Sequence, residues 1–156
     1  MATKNVCDPV SEAIKARLRD LRSTAAAIVD RHWHEVRAGE KVHKGWENSS
    51  RLMLRLKESQ HSFSVLWGRV EWRGSKAKGT RMLLRHHISK GRESSAYNMD
   101  RLKNYACDWE KEIVEATESE LALIREEVKF LSKALQIIRY ANLAQSKREN
   151  YLEKEQ

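Results

Sequence analysis

The apolar positions of this chain change rhythm twice along its length. From residue 9 to about 37, Ile14, Leu18, Leu21, Ala25, Ile28 and Val36 recur at steps of three, four or their multiples. That spacing lays one apolar stripe along a helix. Asp8-Pro9 supplies a start signal, a carboxylate for free N–H groups followed by a proline suited to the first turn. Gly39 is the expected stop, with Trp33 near the helix end.

Between residues 51 and 90 the period falls to two. The leucines of Arg51-Leu52-Met53-Leu54-Arg55-Leu56-Lys57 alternate, which suits a half-buried strand, although a short helix is also compatible with them. Phe63, Val65 and Trp67 then alternate with Leu66, Val70 and Trp72, predicting a second strand to about residue 73 with two different faces. Residues 73–79 form a glycine-bounded turn, and a third strand follows from Thr80 to Ser89 with Met82, Leu84 and Ile88 directed inward.

Beyond Lys90-Gly91 the helical period returns, and a single helix is predicted from about 95 to 150, capped by Ser94 or Ser95. Leu102, Ala106, Trp109 and Ile113 open its apolar stripe, with Trp109 expected in the core. Leu121, Ile124, Val128, Leu131, Leu135 and Ile138 continue it with the heptad spacing of a coiled-coil seam. These six residues are the expected partner or homodimer interface, although the seam can equally be closed within the chain. Leu123, Phe130 and Ile137 form a second, seven-residue stripe beside them. The predicted fold is α+β and α-rich, in one domain. It comprises an N-terminal helix (9–37), a small antiparallel meander (51–90) and a long C-terminal helix whose polar end frays or projects (95–150).

Charge sharpens the picture. The chain of 156 residues carries a net charge of +8, but the excess is not spread evenly. Residues 68–92 hold 8 basic groups against the single Glu71, whereas residues 93–156 hold 10 basic and 13 acidic groups. A localised basic field favours a polyanionic partner. Arg69, Arg73, Lys76, Lys78, Arg81 and Arg85 fall on two strands and their turn, a ribbon able to follow a DNA groove or backbone. Arginine pairs with phosphate or a guanine edge through two N–H groups, and lysine supplies positioning charge. Trp72, facing away from Trp67, is the candidate for stacking on a base. The competing reading is a solvated hairpin whose arginines pair with the acidic C-terminal helix, with the tryptophans serving as core.

Catalytic chemistry is not expected. There is no GxGxxG, P-loop, HExxH or nucleophile elbow. His86 and His87 are strand neighbours on opposite faces, and His32 and His34 are two apart on a helix, so neither pair has ligand spacing. Neither a metal nor a cofactor is predicted, and the glutamates of the C-terminal helix read as solvated acids. Cys7 and Cys107 lie far apart without CxxC spacing and read as reduced thiols. No apolar run is long enough to span a membrane, and residues 1–15 lack the apolar region of a secretory signal. A cytoplasmic location is therefore expected.

One family pattern is visible. Trp67 and Trp72 around Arg69, then Ile88-Ser89-Lys90-Gly91, Tyr97, and Trp109-Glu110 ahead of a glutamate- and arginine-bearing helix, resemble the MobI family. This is a family of conjugative transfer proteins from mobilisable plasmids and integrative conjugative elements, and the resemblance covers roughly residues 20–135. It implies a role in initiating conjugation, by binding near the origin of transfer and helping the relaxase gain access. It assigns no contact residues, so the hairpin assignment rests on charge alone. The reading of this sequence is a non-catalytic DNA-binding accessory factor; the alternative is a protein-interaction adaptor or inhibitor acting through the long apolar-faced helix.

Overall fold

The computed structural model describes residues 8–92 and 94–155. Helix α1 runs from Asp8 to Val42, and its stripe of Leu18, Leu21, Ala25, Ile28, Val29 and Val36 is buried as its spacing requires. Gly39 does not stop it. A Cβ there would lie 2.2 Å from the Trp109 ring, so this glycine is the seat on which Trp109 rests. Beyond the helix end at Val42 the chain turns at Gly45, whose φ of 112° is open to glycine at no steric cost.

Three strands, β1 (Leu52–Glu58), β2 (Phe63–Arg73) and β3 (Met82–His87), form one antiparallel sheet in the order β1-β2-β3. The register pairs Leu54 with Trp67 and Trp72 with Leu83. Leu52, Leu54, Phe63, Val65 and Trp67 therefore share the inner face and are buried, and Trp67 is wholly inaccessible. Ile88 joins them just past β3. Met82, expected inward, is exposed because the hairpin end of the sheet extends beyond the helices that cover its other end.

The predicted helix 95–150 is broken. Residues 94–98 are non-helical, α2 is only Met99–Tyr105, a 3-10 turn follows at Asp108–Glu110, and α3 runs from Lys111 to Lys154. The cap of α2 is Asn98, whose side chain accepts from the Arg101 amide, rather than Ser94 or Ser95. The break has a cause in α3. Arg125 donates to the Ser95 carbonyl at 3.2 Å, and Glu118 accepts the Tyr97 amide at 2.8 Å. The polar backbone groups of this stretch are thus bonded outside any helix.

Glu118 and Arg125 are themselves buried and joined through both carboxylate oxygens, at 2.8 and 3.1 Å. Trp67 Nε1 donates to Glu118 at 2.7 Å, and Arg125 Nε donates to the Val65 carbonyl at 3.0 Å. Burying a charge pair costs several kcal/mol per ion unless its remaining valences are met; here they are met by β2 and the 94–97 segment. The expectation that these glutamates are solvated fails at Glu118 and also at Glu110, which is fully buried.

Helices α1 and α3 run antiparallel along the inner face of the sheet, tied by Arg31–Glu120 at 2.5 Å and Arg17–Glu127 at 2.7 Å. Between them His32 is buried, bonding Thr117 at 3.0 Å and meeting the edge of Trp67. Trp109 is half-buried in the 3-10 turn rather than in a helical stripe; it stacks on His43 and donates to the Asn48 carbonyl. Cys107 is a free thiol, whereas Cys7 lies outside the described residues. No described helix is long and apolar enough to cross a membrane.

Candidate nucleic-acid interface

The β2–β3 turn is held in one shape by its own sequence. Gly74 has a φ of 83°, and a Cβ there would lie 2.1 Å from the Thr80 carbonyl oxygen, so only glycine fits. Ser75 and Thr80 close the loop: the Thr80 amide donates to the Ser75 carbonyl and the Ser75 amide to the Thr80 hydroxyl, both at 3.0 Å. Lys76 and Lys78 are thereby carried on an ordered, exposed tip.

Behind the tip, the inner face of the hairpin leaves the apolar core and becomes polar. Glu71 sits among Arg73 at 3.2 Å, His86 at 3.0 Å and Arg69 at 3.8 Å. The hydrogen bond from Arg73 is the main reason its carboxyl is held below the usual range. The only acid of the basic segment is thus occupied by three cationic or proton-accepting neighbours. Among the described residues, no carboxylate is in ion-pair range of Lys76, Lys78, Arg81 or Arg85.

Four acids of α3 are committed elsewhere. Glu115 pairs with Lys103, Glu118 with Arg125, Glu120 with Arg31 and Glu127 with Arg17. Neutralisation of the hairpin arginines by the C-terminal helix, the competing expectation from sequence, is therefore not what the described residues do. The basic surface stays open.

Where β1 begins, a cleft of about 650 Å³ opens beside β2. Arg51, Arg69 and Arg81 line it together with Trp46, Trp72 and Tyr105. The Arg81 guanidinium lies 4.4 Å from the centre of the Trp72 ring, and that of Arg69 lies 5.1 Å from the centre of Tyr105. Trp46 and Trp72 are 76% and 58% exposed, an unusual state for the largest apolar side chain. Of the seven residues singled out from sequence, Arg69, Trp72 and Arg81 meet in this cleft. Arg73, Lys76, Lys78 and Arg85 do not line it and form the flanking tip and strand surface. Sequence reasoning missed Trp46, Arg51 and Tyr105. Trp46 lies in a three-residue turn after Gly45, where no periodicity marks it, and Tyr105 ends a short helix where the sequence predicts a continuous one.

The six seam residues lie mostly against the chain's own core. Leu121, Ile124 and Val128 are buried in the chain's own core, Leu131 and Leu135 pack against it, and Ile138 is half-buried. The apolar side chains that α3 leaves exposed include the second stripe, Leu123, Phe130 and Ile137.

In comparison with known families, the family profile described as MobI protein fits residues 21–139, more than half of the chain. Neither curated proteins nor solved structures match it.

Proposed function

The chain belongs to the MobI family of conjugative mobilisation proteins, and from that premise we propose that it is a non-catalytic DNA-binding factor acting at the transfer origin to assist the relaxase. The observation that supports this reading most is the unneutralised part of the basic hairpin, with Lys76 and Lys78 at an ordered tip and Arg81 and Arg85 behind it. Phosphate contacts of this kind position a protein on DNA and make its affinity fall with salt. Four such contacts correspond to a slope of about −4 in log affinity against log salt. Fluorescence anisotropy of a labelled transfer-origin duplex, titrated at several salt concentrations, tests the reading. Steep salt dependence with tighter binding than to a random duplex supports it; no binding at low salt rejects it.

The same reading gives the exposed stripe of α3 a use. Leu123, Phe130 and Ile137 recur every seven residues, the repeat by which two helices of identical sequence pack around a shared axis. A second copy of this chain is the occupant proposed for it. A two-fold dimer would place two hairpins on inverted half-sites.

A further inference from the structure

We infer that the cleft beside β2 receives an unpaired nucleotide, with its base between aromatic rings and its phosphates on the arginines; this rests on the DNA-binding reading above and refines it. Six of its lining groups, Trp46, Arg51, Arg69, Trp72, Arg81 and Tyr105, are of the two kinds that single-strand sites combine. Two of the three arginines already lie over rings, in two separate pairs, and a base can stack on such rings or guanidinium planes without recognition of its edges. The only acid on the cleft wall, Glu71, is engaged by Arg69, Arg73 and His86. The cleft therefore offers an anion cationic groups and a base two largely exposed indoles.

Its shape excludes an intact duplex as the occupant. Base faces inside a duplex are stacked on one another, and only groove edges are accessible to a protein. A concave cleft of about 650 Å³ falls within the size range of small-ligand pockets and is far too small to enclose a double helix. The rings can meet a base face only if the nucleotide has left the stack. Asn104, on the same wall, adds an amide able to donate to and accept from a base edge. The basic tip begins where the cleft ends, since Arg81 belongs to both, so a strand whose nucleotide enters the cleft can continue along Lys76 and Lys78 with its phosphates paired.

The test compares three labelled probes of one sequence on the full chain: a perfect duplex, the same duplex with one extrahelical thymine, and the single strand. Each is titrated with wild type, with Trp46→Ala/Trp72→Ala, and with Trp72→Phe. Base–aromatic stacking implies that wild type prefers a probe with an unpaired nucleotide by about tenfold. The double alanine variant should lose that preference and keep its duplex affinity, while Trp72→Phe, which retains a ring, should keep most of it. The two unpaired probes separate an extruded base from a continuous single strand, and preference for either supports the inference. Equal affinity for all three probes, or a preference that survives in the double variant, overturns it and leaves the hairpin reading standing if the duplex is bound. Binding to none of the probes removes both. Both tryptophans are exposed, so circular dichroism of the double variant should match wild type.

Discussion

The guanidinium of Arg81 lies over the Trp72 ring, 4.4 Å from its centre, at the junction of the β2–β3 hairpin with the cleft. The two residues are on adjacent strands but not directly opposite, because Trp72 pairs with Leu83. The contact fixes the orientation of an indole that has no core to pack into. Exposed cation–π pairs contribute roughly 0.5–1 kcal/mol, so Trp72→Ala should lower stability by no more than about that amount. Urea midpoints check this, and a much larger loss would mean that Trp72 is a structural residue rather than a contact residue.

Breaking the buried pair of α3 should have the opposite profile. Arg125→Met leaves Glu118 buried with only Trp67 and the Tyr97 amide as partners, and such a change typically costs about 3–5 kcal/mol. Glu118→Gln with Arg125→Met removes both charges and should recover part of that loss. A double variant no more stable than Arg125→Met alone would show that hydrogen bonds to Val65 and Ser95, not the charge, account for the cost.

Gly39→Ala sets two effects of opposite sign against each other. In an open helix the change would stabilise by about 0.5–1 kcal/mol. Here the new Cβ meets the Trp109 ring at 2.2 Å, and forced overpacking costs about 1–3 kcal/mol. The clash should win, giving net destabilisation in thermal or urea unfolding. In a Trp109→Ala background the sign should reverse, which is the signature of a contact between these two positions.

Two buried groups titrate in opposite senses. Burial and then the nearby Arg31 charge push His32 down from 6.5 to about 4. Its unfolded form therefore gains a proton before the folded form does, so its contribution is complete above pH 6.5 and lost as pH falls toward 4. Burial, reinforced by the charge of Glu40, raises Glu110 from 4.5 to about 7. Its contribution is complete below pH 4.5 and lost as pH rises through 7. Between pH 4.5 and 6.5 the two largely offset. Glu110→Gln should remove one arm, so its stability relative to wild type should increase steadily from pH 4.5 to 7. A pH-independent difference would contradict this assignment.

The exposed stripe of α3 gives a separate expectation. Phe130→Glu with Ile137→Glu should abolish any concentration-dependent dimer in sedimentation or light scattering without altering helicity, because both side chains are largely solvent-exposed. A wild-type chain that is monomeric at all concentrations would remove the second copy from the account.

Much of this architecture is legible in the sequence. The period of α1 and the alternation of Phe63, Val65 and Trp67 against Trp72 follow directly from which side chains must be buried. The break after residue 90 is not legible in the same way. Residues 94–97 are kept out of a helix by Glu118 and Arg125, more than 20 residues away, and no local pattern distinguishes those two from the solvated charges around them. Gly39 misleads for a related reason, since a glycine that admits a distant ring has the same letter as one that ends a helix. In the candidate site, the basic residues were visible because charge segregates along the chain. Trp46, Arg51 and Tyr105 join them only through the fold.

The most direct test of the central claim is the DNA affinity of Lys76→Glu/Lys78→Glu beside wild type at low salt, on the transfer-origin duplex. The account expects wild type to bind and the charge-reversed tip to lose affinity by about a hundredfold, with a shallower salt slope and unchanged circular dichroism. Equal affinity of the two proteins would contradict it and remove the hairpin from DNA recognition.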